Sequence, residues 1–324
     1  MDEFSKNWVD LAQPRLGTEV VYATDDFFAA KERLIDPAEP VFIPGKYDEN
    51  GKWMDGWESR RRRDAGHDHC IVRLGKPGIV KGIEIDTRNF TGNYPPAASI
   101  DWCHCGENIP FAMAKWSPLV PMTALQGDSR LKFSVGLNEV ATHLRLNIFP
   151  DGGVARLRVW GQVVRDWPKG ERVDLAAMEN GGLPVAANDE HFGRVSNMLA
   201  PGKSRDMGDG WETRRRREPG HDWSIVALAR SGRIEEIVVD TAHFKGNFPD
   251  RCFIQAAGPS TLPRAGLITQ AASWPVILPE QKLSADREHR FTSEILAHEP
   301  VKFVRLNIVP DGGVARLRLF GKVE

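Results

Sequence analysis

The sequence predicts an all-β protein: two tandem jelly-roll β-sandwich domains with little helix. Three observations carry this expectation. First, the chain repeats itself once. Asp55–Pro95 and Asp209–Pro249 agree at 22 of 41 positions, and Arg145–Val163 and Arg305–Val323 at 15 of 19. Second, each copy holds short β-branched stretches, such as Ile71-Val-Arg-Leu and Val80-Lys-Gly-Ile-Glu-Ile-Asp86, or Ile225-Val-Ala-Leu and Ile234-Glu-Glu-Ile-Val-Val-Asp240. Third, turn chemistry separates them: Gly75-Lys-Pro-Gly78, Ser231-Gly232, and a Pro-Asp-Gly-Gly turn late in each copy. Several short strands punctuated by turns suit a sandwich or jelly roll. Two copies make a duplicated domain, not a solenoid.

Taken in order, residues 1–163 form the first repeat with its N-terminal lead-in, 164–187 a connection, and 188–324 the second repeat. In the lead-in, Thr24-Asp-Asp-Phe-Phe-Ala29 followed by Lys31-Glu-Arg-Leu predicts a helix start with Thr24 as N-cap. Asn188-Asp-Glu-His-Phe-Gly193 is its counterpart. Ser99-Ile-Asp-Trp and Cys252-Phe-Ile-Gln predict further strands, as do Thr142–Ile148 and Val154–Trp160. Pro168-Lys-Gly, Asn180-Gly-Gly and Leu183-Pro mark the connection.

The totals exclude several classes. At 324 residues the chain can bury a core in each half. Lys plus Arg number 43 against 44 for Asp plus Glu, so the net charge of −1 argues against nucleic acid and confines anion recognition to local clusters. The start carries no apolar secretory segment, and no apolar run reaches the roughly 18 residues of a spanning helix, so no membrane role is expected. Four irregularly placed cysteines make no disulfide framework. A cytoplasmic protein with reduced thiols follows.

The most unusual stretch occurs twice: Asp55-Gly-Trp-Glu-Ser-Arg-Arg-Arg-Arg-Asp-Ala-Gly-His-Asp68 and Asp209-Gly-Trp-Glu-Thr-Arg-Arg-Arg-Arg-Glu-Pro-Gly-His-Asp222. Adjacent guanidinium groups need carboxylates, anions or water. Strand alternation from Trp57 puts Arg61 and Arg63 inside, ready for a small anion, as with Arg215 and Arg217 in the other copy. Arg60 and Arg62 then meet flanking acids among Glu58, Asp64, Asp68 and Asp86. His67 and His221 are candidate proton shuttles, with Asp68 and Asp222 beside them and Glu58 and Glu212 nearby. Asn93 and Asn247 offer amides to a ureido or amide group, although turn formation explains their motif equally well. The same two readings hold for Arg145, Asn147 and Asp151 and their copies. Cys103-His-Cys105 lacks the spacing of a zinc knuckle and reads as strand, so no metal site is expected.

The order Asp55-Gly-Trp57, Leu74-Gly-Lys-Pro77, Ile83-Glu-Ile85 and Ala155-Arg-Leu-Arg-Val-Trp-Gly161 resembles the discoidin or galactose-binding-like jelly roll. The fold alone would equally serve a non-catalytic two-module binding protein for a small anion, sugar or protein partner. The duplicated arginine segment, the Asp-Thr-x-x-Phe-x-Gly-Asn-(Tyr/Phe)-Pro segment and the Arg-Leu-Asn-Ile-x-Pro-Asp-Gly-Gly-Val-Ala-Arg-Leu-Arg ending together resemble the allantoicase family over nearly the whole chain. That resemblance implies a cytoplasmic, homo-oligomeric hydrolase of purine (allantoin) degradation that cleaves allantoate to ureidoglycolate and urea. No cofactor is expected, although loop carboxylates leave room for a divalent ion. On such a substrate the arginines would hold the carboxylate and His67 or His221 would move the proton. Glu58 or Glu212 would partner it or activate water, and Asp68 and Asp222 would orient the histidines.

Overall fold

The computed structural model describes residues 3–106 and 113–323. The chain divides into two compact units, Trp8–Val164 and Met1–Asn7 with Arg165–Glu324. Each is an all-β unit organised on one 19-residue strand, Asp68–Asp86 in the first and Asp222–Asp240 in the second. The strand Asp68–Asp86 changes partners along its length. Its first part pairs with Ala141–Phe149 and Glu19–Ala23, and its second part with Arg156–Val163 and Arg130–Ser134. The register against Ala141–Phe149 jumps between Ala141 and His143, from Gly78 to Arg73. Gly75-Lys-Pro-Gly78 therefore bends one continuous strand, where the sequence predicted a turn between two. The second unit repeats the plan, with its shift between Ala227 and Gly232.

Alternation along the strands builds the core. Leu144, Leu146 and Ile148 are fully buried, as are Ile83, Leu157 and Val159. The intervening His143, Arg145 and Asn147 point to the other face, beside Cys103, Asp101 and Ser99 of the neighbouring strand Ala97–Cys103. Leu306 and Ile308 are likewise buried, with Arg305 and Asn307 on the opposite side. Each side chain buried this way contributes about 1.5–3 kcal/mol.

Two further local expectations differ from the structure. Residues 164–187 are not merely a connection. Arg172–Asp174 pairs with Arg316–Val323 and Leu183–Ala187 with Asp222–Asp240, the places Val9–Asp10 and Glu19–Ala23 occupy in the first unit. Their Pro and Gly signals bound short edge strands. Thr24 caps no helix. Its hydroxyl donates to Asp68 Oδ1 at 2.8 Å and accepts from the His69 N–H at 3.0 Å, and the helical piece that follows it is the 3-10 turn Lys31–Ile35.

The repeated motifs are locked together by a buried ion pair. Arg156, in the closing strand, donates to Asp55 Oδ2 at 2.8 Å and to the Asp55 carbonyl at 3.1 Å. In the second unit Arg316 holds Asp209 Oδ2 at 2.8 Å, with both side chains 4% exposed. Removing one partner strands a buried charge. Arg316→Met should lower stability to urea by about 3–5 kcal/mol; a loss below about 1 kcal/mol would show that water replaces the pair.

Candidate active site

Trp57 and Glu58 pair with Val154 and Gly153, so the first motif meets the Pro-Asp-Gly-Gly turn directly. Phe90 lies flat on that turn: a Cβ on Gly153 would sit 2.0 Å from its ring, and the same holds for Gly313 against Phe244. Trp57 is fully buried and donates its indole N–H to the Asp25 carbonyl at 2.8 Å. The strand stops at Glu58, and the arginines that follow leave on a loop.

On that loop the four arginines divide into two kinds. Arg60 is bound by Asp25, with Nε 2.7 Å from Oδ2 and the backbone N–H 2.9 Å from Oδ1. Arg62 donates to Asp68 Oδ1 at 2.7 Å and Asp64 at 3.1 Å, while its backbone N–H reaches Asp151 at 2.8 Å. In the second unit Arg214 pairs with Asp189 at 3.0 Å and Arg216 with Asp222 at 2.9 Å. Arg61, Arg63, Arg215 and Arg217 are exposed and, among the described residues, have no ion pair or hydrogen bond. Alternation did separate the pairs, but Arg61 and Arg63 lie at the rim, not inside, because the strand has already ended. Glu58 and Asp86 also leave the predicted network, to Asn93 and Arg88. In the second unit the arginine loop borders a cleft of about 340 Å³ shared with Asn188, Asp189 and Asp222.

Glu58 is buried, and Asn93 Nδ2 donates to its Oε1 at 2.6 Å. Asn93 is itself fixed by its carbonyl, which accepts from the Gly153 N–H at 2.7 Å. Burial pushes the Glu58 carboxyl above its ordinary value of 4.5, a shift that the Asn93 hydrogen bond opposes. Asn247 makes the same hydrogen bond to Glu212, and its carbonyl accepts from Gly313 at 2.8 Å. The amides predicted to face a ligand thus each use one N–H on a carboxyl.

The histidines do not meet the aspartates that follow them. Neighbours in an extended chain diverge, so Asp68 turns towards Arg62 and Thr24 while His67 turns to the opposite face. There His67 Nε2 lies 3.3 Å from Asn147 Oδ1, and His221 Nε2 lies 3.0 Å from Asn307 Oδ1. Asn147 Nδ2 donates to Asp101 at 2.9 Å and Ser99 at 3.1 Å, so its oxygen is the end facing the histidine. A neutral His67 therefore carries its proton on Nε2 and keeps the Nδ1 lone pair available. Arg145 completes the row, donating to Asp101 at 2.8 Å and 3.1 Å. The second copy breaks the row at this point. Gln255 replaces Asp101 and accepts from Asn307 at 3.1 Å, and among the described residues Arg305, 7% exposed, pairs with no carboxylate. Burial holds its guanidinium below the usual arginine range.

Sequence reasoning singled out the histidines, Glu58 and Asn93, and read Arg145 and Asn147 as turn or site. It missed Asp25, Ser99 and Asp101. Asp25 had a signal, since Asp189 recurs in the matching lead-in; Ser99 and Asp101 had none, because Phe253 and Gln255 replace them.

The chain is similar to known proteins along its whole length. The family model described as allantoicase repeat matches residues 9–164 and again 173–324. A probable allantoicase 2 of Burkholderia pseudomallei is 58% identical over 99% of this chain and 96% of its own length. A probable allantoicase of Pseudomonas aeruginosa is 53% identical over 98% of this chain and 97% of its own. The crystal structure of allantoicase from Saccharomyces cerevisiae superposes with a TM-score of 0.84 at 36% identity, covering 98% of this chain and 96% of that one. This chain belongs to the allantoicase family.

Proposed function

We propose that this protein is an allantoicase, hydrolysing allantoate to ureidoglycolate and urea in purine degradation. The observation that carries the reading is similarity to allantoicases along both repeats, at 53–58% identity with the curated relatives named above. The site chemistry agrees with it. Allantoate is a carboxylate whose α-carbon bears two ureido groups. Paired guanidinium groups bind a carboxylate through charge-assisted hydrogen bonds, and Arg61 with Arg63, or Arg215 with Arg217, are the cations left uncommitted by the scaffold. Hydrolysis breaks one bond from that carbon to nitrogen. The departing urea nitrogen gains a proton, and water supplies the hydroxyl that takes its place. His67 or His221 moves the proton, and Glu58 or Glu212 assists the water. Asp68 and Asp222 hold the arginine loop through Arg62 and Arg216, in place of the histidine-orienting role expected from sequence.

The reading includes a cytoplasmic homo-oligomer that acts on a small molecule, not on nucleic acid, and uses no organic cofactor. Among the described residues, no helix is long and apolar enough to cross a membrane. The direct test is incubation with allantoate, with and without a chelator. Urea and ureidoglycolate should appear in equal amounts, and absence of urea in both arms would overturn the proposal.

Three further outcomes follow from the roles assigned. His67→Ala combined with His221→Ala should lower kcat by about 10²–10⁴; unchanged turnover removes histidine from proton transfer. Replacing Arg61 and Arg63, or Arg215 and Arg217, by alanine should raise KM about tenfold to a hundredfold, with little change in urea-melting midpoint, since these side chains hold nothing else. Glu58 generates a pH dependence of stability. Its raised folded pKa makes its contribution full below about pH 4.5 and lost as pH climbs through the raised value. Glu58→Gln keeps the acceptor for Asn93 and carries no charge, so it should gain stability relative to the native protein as pH rises from 4 to 8. A constant difference across that range would show that Glu58 titrates normally.

A further inference from the structure

We propose that Cys103, Cys105 and His143 of the first unit bind a zinc ion. The three come from two neighbouring segments. Cys103 ends the strand Ala97–Cys103, Cys105 follows two residues on, on the same side, and His143 lies directly across from Cys103 on the neighbouring strand. His104, between the cysteines, turns away and contacts the Val140 carbonyl at 3.0 Å. The candidate ligand atoms all lie within 4.8 Å of one another. Cys103 Sγ is 3.6 Å from Cys105 Sγ, and His143 Nδ1 is 3.1 Å from Cys105 Sγ. With zinc–sulfur bonds of about 2.3 Å and zinc–nitrogen bonds of about 2.0–2.1 Å, tetrahedral ligands are separated by roughly 3.8 Å for two sulfurs and 3.5 Å for sulfur and nitrogen. Two of the three separations thus lie within a few tenths of an ångström of such a site, and the third, within 4.8 Å, closes as the ion binds.

Charge and surroundings agree. The residues are 2%, 7% and 5% exposed. Two thiolates and a neutral imidazole bring zinc's double positive charge to zero, the condition for burying an ion cheaply. Each thiol loses its proton as its sulfur bonds the metal, and the fourth position is open to water. Soft sulfur ligands with imidazole select zinc over the hard, oxygen-seeking magnesium and calcium ions. Thr142 holds the turn that carries Cys105, its hydroxyl accepting from the Cys105 N–H at 3.0 Å, and its 3.0 Å contact with His143 Nδ1 gives way when that nitrogen takes the metal.

The duplicated half supplies an internal comparison. At the matching positions it has Ala257, Pro259 and Phe303, and Ala257 is across from Phe303 just as Cys103 is across from His143. The strand pairing therefore forms without any of the three. Their joint presence in one copy and joint loss in the other is what a shared ligand would produce, whereas core packing alone needs no such coupling.

The test uses the full chain. The native protein and the Cys103→Ala/His143→Phe variant, whose new residues the other repeat already accommodates, are loaded with zinc, desalted and assayed for metal. About one zinc per chain is expected in the native protein and none in the variant, with matching far-UV circular dichroism. Cobalt loading should give a thiolate-to-metal charge-transfer band only in the native protein, and zinc should raise only the native Tm. Equal zinc content in the two proteins, or a cobalt complex without the thiolate band, would overturn the site. So would native protein that stays metal-free with its thiols reduced, or with Cys103 and Cys105 joined as a disulfide.

Discussion

The buried pairing of Arg156 with Asp55, and of Arg316 with Asp209, is the contact on which each site depends. It joins the last strand of a unit to the aspartate that opens the arginine motif. Once that aspartate is held, Trp57 and Glu58 fall into register with Val154 and Gly153. The turn bearing Gly153 then captures the Asn93 carbonyl, and Asn93 captures Glu58. Segments far apart in sequence are thereby brought to one place by interactions in which each partner satisfies a polar group of the next. Burying such groups is tolerable only when the whole set is satisfied together. This explains why the identities between the repeats fall in long blocks: a change in one member would leave another buried and unpaired.

The fold was legible because its signals are periodic and local. Ile83, Ile85, Leu144 and Leu146 alternate as a half-buried strand must, and the second copy repeats them in Val239, Leu306 and their neighbours. The candidate site drew attention through composition, in the arginine run and the Gly-His-Asp turn. Its geometry was not legible. Assigning faces from Trp57 required the strand to continue through the arginines, and it ends at Glu58. That ending is set by pairing with a two-residue partner, Gly153–Val154, which no property of the arginines reveals. Pairing His67 with Asp68 failed for the converse reason. The chain is extended there, so adjacency in sequence means divergence in space, and the partner of His67 comes from Asn147 on another strand.

Duplication also separates what the scaffold requires from what a site adds. Arg60, Arg62, Arg214 and Arg216 are bound by acids in both copies, so half of each arginine run is structural. The remaining arginines carry charge that the scaffold does not use. In water such exposed cations are cheap to hold, and a carboxylate arriving there does not have to displace an internal partner.

The positions that are not repeated make the copies electrostatically unequal. In the first, Asp101 neutralises Arg145 and anchors Asn147 behind His67. In the second, Gln255 keeps the hydrogen bond to Asn307 but brings no charge, and Arg305 lies buried with Nε unpartnered and Trp223 4.8 Å away. Stacking on an indole contributes about 0.5–2 kcal/mol, well short of the several kcal/mol by which burial disfavours an unpaired charge. An anion reaching the first row meets a pair already balanced, whereas one reaching the second meets a guanidinium that, among the described residues, has no carboxylate partner, beside the same histidine–asparagine contact. The near-identity of the motifs therefore does not make the two sites interchangeable. The repeated residues fix the shape of each site, and the single exchange of Asp101 for Gln255 changes the charge that a ligand would encounter.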